Sequence, residues 1–438
     1  MTSRTTRRIL LTALACGALS VAAAQEISKP IQVTSESPAL HGVVHLTDVL
    51  NMTPQARRWL EEFHEAKRQG LIPYASKTRS EHSVGDTVSF RTQNRVPGRW
   101  SNTDFVFKSE SEVVKIYVAV AELGNISDSE VTLINSHLTT GTPQGSVNPT
   151  QGIIANENDI FGNPPNVDGD GVTDVLIYDI ENVLGFVSGA DLSATGPGNM
   201  ADVLHIGSRH HRDLSDRLRT IAHEYQHLIH FNYDGDELRW VNEGLSDYAA
   251  VLNGYAGRPI RYLAYPSLRN TWLFWWDQLL INYEKAGLFV TYLAQRSDPM
   301  TAGSITRDPA NGRSGMNSAL GAVGLSLEDI LVDFHSTTLL NGTGLTTDTR
   351  FEFASEAYRD NGLEGPDLVV NGAVTSSTVR RDTVFGGGVR FYVWKDVEDF
   401  RLTVDPIVEA GQTEQLTLGR SRPRVIIARN SSPVEIVD

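Results

Sequence analysis

Two histidines four residues apart, His223 and His227, with Glu224 beside the first, are the residues of this chain best placed to do chemistry. On a helix, residues i and i+4 sit one turn apart on one face. Both imidazoles can then reach a single zinc ion at about 2.0–2.1 Å. Glu224 points beside such an ion rather than at it, where its carboxylate can take a proton from a water that the ion activates. The competing reading of the same residues is an amphipathic helix with solvated histidines. A third ligand separates the two, because catalytic zinc takes three protein ligands and keeps one position open.

Two places could supply that ligand. A histidine six residues past His227, with a glycine midway, is one pattern, but those positions hold Tyr233 and His230. The other is a carboxylate on the following helix, and Trp240-Val-Asn-Glu243-Gly-Leu-Ser-Asp247 supplies Glu243. Asp247 is one further turn along the same face. There it can accept a hydrogen bond from the other ring nitrogen of a ligand histidine, which fixes the tautomer. His230 lies seven residues from His223, about 10.5 Å along a helix, so it cannot share their ion and reads as a cleft-edge or structural residue. Glu237, in the Asp234-Gly-Asp connection, reads as a solvated loop carboxylate.

The elements that must position these groups follow from periodicity. Leu214, Leu218, Ile221, Tyr225 and Leu228 recur at three- and four-residue steps, which predicts a helix over 212–232 with a buried stripe. Further helices are expected over 241–253 and 273–295. Strands precede them at 87–91, 105–107, 113–120, 175–180 and 203–206. Strands first and helices after predict an α+β domain over 83–345. Residues 346–438 turn to alternating β patterns punctuated by Gly386-Gly-Gly and Pro423, which predicts an all-β, sandwich-like C-terminal domain. Between 25 and 82 a helix starts at Thr53-Pro54. This part reads either as an N-terminal arm on the main domain or as a propeptide.

The first 24 residues read as a signal peptide: Arg4, Arg7 and Arg8, then an apolar run, then Ala22-Ala-Ala. The pair Arg7-Arg8 also fits a twin-arginine signal. The sole cysteine, Cys16, lies inside this run, so the exported chain would carry no disulfide. The net charge of −15 argues against nucleic acid or an anionic membrane surface as partner. No later stretch is apolar and long enough to span a bilayer. Sequence alone leaves the oligomeric state open.

His223-Glu224-x-x-His227 followed by Asn242-Glu243-x-x-Ser246-Asp247 resembles the gluzincin zinc metallopeptidases, and its context resembles secreted bacterial hyicolysin-type neutral metallopeptidases. The resemblance is close over about 205–255 and loose over 110–340. It implies a zincin-like domain, one catalytic zinc held by His223, His227 and Glu243, Glu224 as general base, and Asp247 orienting a zinc histidine. Asn282-Tyr283-Glu-Lys-Ala-Gly287 resembles the Tyr-Glu-Lys-Gly stretch of the aminopeptidase branch, in which the tyrosine donates to the oxyanion, although an alanine intervenes here. Tyr283 fits a buried helix position equally well, and His335 and the pair His210-His211 are alternative donors. Together these features imply an exported endopeptidase acting on protein or peptide. A zinc aminopeptidase, or a non-catalytic surface or adhesion protein with a structural zinc, are the other readings. A second metal signal is Asn166-Val-Asp168-Gly-Asp170-Gly-Val-Thr-Asp174, which matches the first part of a calcium loop but has Ile177 where the bidentate glutamate belongs.

Overall fold

A computed structural model describes residues 53–74, 82–94, 99–181, 183–255, 273–274, 276, 280–341 and 347–354, together with strands at 8–14, 370–371, 390–395 and 424–428. Six strands form one mixed sheet: β1 (Thr87–Thr92), β2 (Ser101–Glu110), β3 (Val114–Ala119), β4 (Thr173–Tyr178), β5 (Gly185–Phe186) and β6 (Val203–Gly207). Their spatial order is β1-β2-β3-β4-β6-β5. The first three are antiparallel neighbours, β3, β4 and β6 run parallel, and β5 closes the sheet antiparallel to β6.

The parallel strands are rich in Val, Ile, Leu and Tyr because both of their faces are covered. Val114, Ile116, Val118, Val175 and Ile177 point into the core shared with the helices. Tyr117, Leu176 and Tyr178 alternate with them onto the opposite face, where they meet Phe90, Phe105 and Phe186.

Helix α1 (Pro54–Arg68) begins where Thr53 Oγ1 accepts the Ala56 N–H at 3.1 Å. It buries Leu60 and Phe63 in the main core, and its Lys67 Nζ donates to the backbone oxygen of Asn232 at 2.7 Å. Helices α2 (Asp128–Thr139), α3 (Ile153–Phe161) and α4 (Gly189–Leu192) follow.

The central helix is α5 (Leu214–Tyr233), started by Asp213, whose side chain accepts the Asp216 N–H at 2.8 Å. Every residue from Asp216 to Asn232 on it is buried. The helices α6 (Arg239–Leu252), α7 (Leu280–Arg296), α8 (Pro299–Arg307), α9 (Arg313–Ala322) and α10 (Leu327–Leu340) complete the helical layer. The expected strands are found, with 105–107 extended to Ser101–Glu110, and the helices expected over 212–232 and 241–253 end within about two residues of the observed ones. The helix expected over 273–295 begins only at Leu280, since 273–274 and 276 are not helical.

The remaining strands form a separate four-stranded sheet in which Arg8–Leu14 lies antiparallel between Arg390–Lys395 and Arg424–Ala428, with Val370–Asn371 parallel to 390–395. The rest of the expected leader and of the expected C-terminal sandwich lies outside the described residues. No described helix is long and apolar enough to cross a membrane.

Helix α6 approaches α7 closely because Gly244 has no side chain. A Cβ there would sit 2.8 Å from Val290 Cγ2 and 3.0 Å from the backbone oxygen of Ala286. Helix propensity favours a side chain at a helical glycine by about 1 kcal/mol, but forced overpacking against backbone costs about 1–3 kcal/mol or more. Gly244→Val is therefore expected to destabilise the protein by about 3 kcal/mol, read as a shift in the urea midpoint at unchanged slope.

Candidate metal centre

Helices α5 and α6 bring three ligand-type side chains together. His223, His227 and Glu243 are all wholly buried, and one donor atom from each lies within 4.8 Å of the others. His223 Nε2 is 3.1 Å and His227 Nε2 3.6 Å from Glu243 Oε2, and the two ring nitrogens are 3.1 Å apart. These contacts are close but poorly aligned for hydrogen bonding, and neither Glu243 oxygen gains a hydrogen-bond partner. A buried carboxylate without a donor is costly unless a charge sits against it. The donor set, two imidazole nitrogens and one carboxylate, is one that suits zinc.

The electrostatics agree with that fit. Burial alone would lower the His223 pKa, but Asp247 and Glu243 outweigh it and hold the imidazole up at about 9. Burial raises Glu243, yet the two histidines bring it down to about 2. His227 is likewise raised by Glu243 against the effect of burial. Without a metal, protons on the imidazoles supply the positive charge that Glu243 requires. A divalent cation can supply the same charge in their place.

The far side of each imidazole is also engaged. His223 Nδ1 donates to Asp247 Oδ1 at 2.9 Å. His227 Nδ1 donates to Asn242 Oδ1 at 3.1 Å and lies 3.0 Å from Ser246 Oγ. Ser246 in turn donates to Gln226 Oε1 and bonds the backbone oxygen of Asn242 at 3.1 Å. Asn242 and Ser246 stood in the sequence motif without a role, because nothing in spacing alone says which nitrogen they meet. Asp247 is backed by α7: a Cβ on Gly287 would lie 2.7 Å from Asp247 Cβ.

Glu224 is wholly buried on α5 and faces the end of the sheet. A Cβ on Gly185 would be 2.9 Å from Glu224 Cγ and 3.0 Å from Thr220 Cγ2, so only a glycine lets strand β5 run this close. Thr220 Oγ1 also lies 3.2 Å from His211 Nε2. His211 therefore stands nearer to Glu224 than its distance along the chain suggests. Burial pulls its pKa down to about 4. Tyr283 lies on α7 one turn before Gly287. It is wholly buried, with its ring edge-on to Trp276 at 4.7 Å between centroids. Its neighbour Lys285 is also buried, and burial pulls it down to about 7. His335 is buried on α10 beside Phe334.

One expectation narrows and one changes. Of its two readings His230 takes the structural one: it is wholly buried, and its Nδ1 donates to Asn242 Oδ1 at 2.8 Å. Glu237 is not a solvated loop carboxylate. Its Oε1 accepts the Gly312 N–H at 2.7 Å and its Oε2 is buried. Burial, together with Asp234 and Asp236, pushes its pKa up to about 8. The turn Asp234-Gly-Asp236 looks polar in sequence, but the residues leading into α9 reach it, Asn311 Nδ2 donating to the Asp236 backbone oxygen at 2.9 Å.

No known family model matches the chain. The chain is similar to the neutral metalloprotease ShpI of Staphylococcus hyicus, at 27% identity over 194 residues that cover 36% of this chain and 44% of that protein. It thus spans less than half the length of that relative. Among solved structures it is similar to Legionella pneumophila aminopeptidase A in complex with aspartic acid. That match has a TM-score of 0.32 and 12% identity, and it covers 56% of this chain and 27% of the other. A likeness of that size is too slight to bear on fold or activity.

The calcium expectation at 166–174 finds no support. Asn166 Oδ1 accepts the Gly171 N–H at 2.9 Å. Asp170 accepts the Val172 N–H at 2.8 Å and pairs with Lys115 at 3.1 Å. The loop thus spends side-chain oxygens on its own backbone and on a lysine. Among the described residues, no group of three His, Cys, Asp or Glu side chains converges there. The loop is instead clasped by Asp202, which accepts the N–H groups of Asn166 at 2.6 Å and Val167 at 3.2 Å. Burial pushes the Asp202 carboxyl up to about 7 against these two bonds, with Asp168 and Asp170 adding to the rise. An acid whose pKa is higher in the folded than in the unfolded chain gives stability that is fully present below about 3.8 and is lost as pH rises through about 7. That slope amounts to a few kcal/mol, on the order of 3–4. Asp202→Asn is expected to remove this decline between about pH 4 and pH 7, measured by urea unfolding across the pH series.

Proposed function

We propose that the protein is an exported, zinc-dependent endopeptidase of gluzincin type. The observation that carries this reading is the buried convergence of His223, His227 and Glu243 beside Glu224, with the sheet ending on β5 directly against that glutamate. The name of the Staphylococcus hyicus relative, a neutral metalloprotease, points the same way. Export rests on the leader-like residues Arg4 to Ala24.

In this reading His223, His227 and Glu243 would hold zinc, which when bound supplies a Lewis acid for a water and a peptide carbonyl. Glu224 takes the proton of the attacking water and hands it to the leaving amine. Asp247 holds His223 in the tautomer that leaves Nε2 for the ion, and Asn242 does the same for His227. A purely structural zinc would have no use for Glu224 at this position.

Substrate would lie extended beside β5. A sheet edge offers unpaired N–H and C=O groups that an added strand can satisfy. The missing side chain at Gly185 lets that strand pass close to Glu224. Tyr283 would donate to the oxyanion as water adds to the carbonyl.

Glu224→Gln is expected to lower casein or gelatin cleavage by about 10²–10⁴-fold with zinc content unchanged. Equal cleavage by variant and wild type would sink the peptidase reading. Chelation is expected to abolish cleavage and added zinc to restore it. Tyr283→Phe is expected to lower kcat by about 10²–10³-fold at little-changed KM if it donates to the oxyanion; an unchanged kcat makes it a packing residue. Peptides with blocked N-termini should be cut as readily as free ones, whereas an aminopeptidase would require the free amine.

A further inference from the structure

Three residues that the proposed chemistry leaves unused converge a short way along α5. One ring nitrogen of His230, a carboxylate oxygen of Asp234 and one of Glu237 lie within 4.8 Å of one another. Each residue is already fixed through its other polar atom. His230 Nδ1 donates to Asn242. Asp234 Oδ1 accepts the Asp236 N–H at 3.2 Å, and Glu237 Oε1 accepts the Gly312 N–H at 2.7 Å. The atoms left over, His230 Nε2, Asp234 Oδ2 and Glu237 Oε2, are all buried and none has a hydrogen-bond partner.

We propose that His230, Asp234 and Glu237 form a second metal site, separate from the first, which takes a divalent ion of mixed nitrogen and oxygen preference such as zinc.

Three orphaned atoms at one point would each cost free energy if buried for no purpose. His230 makes the case stronger than an acidic cluster would. Its imidazole is wholly buried, and its Nδ1 bond to Asn242 leaves Nε2 as the lone-pair nitrogen, buried with no hydrogen-bond partner. The acids most strongly felt at this spot are further acids, Asp236 and Asp308 on Asp234 and Asp236 on Glu237, so the local field calls for a cation. One imidazole with two carboxylates suits zinc, cobalt or manganese better than calcium, which prefers six to eight oxygens. Shifts of under about 1 Å per side chain bring the three atoms to the roughly 2.0–2.2 Å at which zinc is held.

The two sites meet at one atom, because Asn242 Oδ1 accepts from both His227 and His230. An ion here would tie the last turn of α5 to the connection that turns the chain into α6. It would also steady the asparagine that orients His227.

The test is zinc stoichiometry on the full chain, stripped with chelator, reloaded with zinc alone, gel-filtered and measured by inductively coupled plasma mass spectrometry. Wild type should hold about two zinc ions. Glu237→Gln and Asp234→Asn should each hold about one, Glu243→Gln about one, and the double variant Glu237→Gln/Glu243→Gln close to none. Circular dichroism checks that each variant is folded. Glutamine keeps an oxygen for the Gly312 N–H, and if Glu237→Gln still fails to fold, Asp234→Asn carries the test. One ion in wild type, lost in Glu243→Gln and kept in both Glu237→Gln and Asp234→Asn, overturns the second site and leaves the proposed function standing. One ion with the reverse pattern supports the second site and removes the first. Two ions in every variant place the extra zinc elsewhere and overturn the proposal.

Discussion

Everything in this structure answers to the cost of burying ionisable groups on one helix. α5 carries His223, Glu224, His227 and His230, and all four are cut off from water. Charge in a dry interior is tolerable only when it is paired at close range. Helix α6 must therefore deliver Glu243 and Asp247 to within hydrogen-bond distance, and it must be pressed there by its neighbours. Gly244 against Ala286 and Gly287 against Asp247 are the contacts that let the backbones of α6 and α7 come close enough.

The same cost explains the polar atoms around the ligands. An imidazole that is to offer Nε2 to a metal needs its Nδ1 hydrogen bonded. His223 gets a carboxylate, Asp247, while His227 gets an amide and a hydroxyl, Asn242 and Ser246. The two histidines are thus not equivalent. Asp247 and Glu243 raise the pKa of His223 to about 9, whereas Glu243 is the main partner raising His227. The short β5 matters for a different reason. It runs antiparallel to β6 and places Gly185 directly against Glu224.

The connection between α5 and α6 is more than a spacer. Asp234, Asp236 and Glu237 look like an ordinary polar turn, yet the residues leading into α9 bind it: Asn311 Nδ2 donates to the Asp236 backbone oxygen and the Gly312 N–H to Glu237. Helix α1 reaches the same neighbourhood through Lys67 on Asn232, and a Cβ on Gly235 would meet His64 Nε2 at 2.9 Å. The turn that sets the angle between the two ligand-bearing helices is held from both sides.

The periodicity of Leu214, Leu218, Ile221, Tyr225 and Leu228 determined α5, and the spacing of His223 to His227 determined that both share a face. Both are consequences of one helical repeat and need nothing else in the chain. The same holds for the strands, whose apolar runs report burial directly, and for the α1 start at Thr53-Pro54. The motif also made the meeting of Glu243 and Asp247 with the two histidines legible. That Asn242 and Ser246 meet His227, that Gly185 lies against Glu224, and that His230 and the Glu237 Oε2 are cut off from water depend on where distant elements pack. Spacing repeats fix direction along an element. Only the close packing of α6 on α5 and of α7 on α6 fixes distance between elements, and metal ligation is a matter of distance.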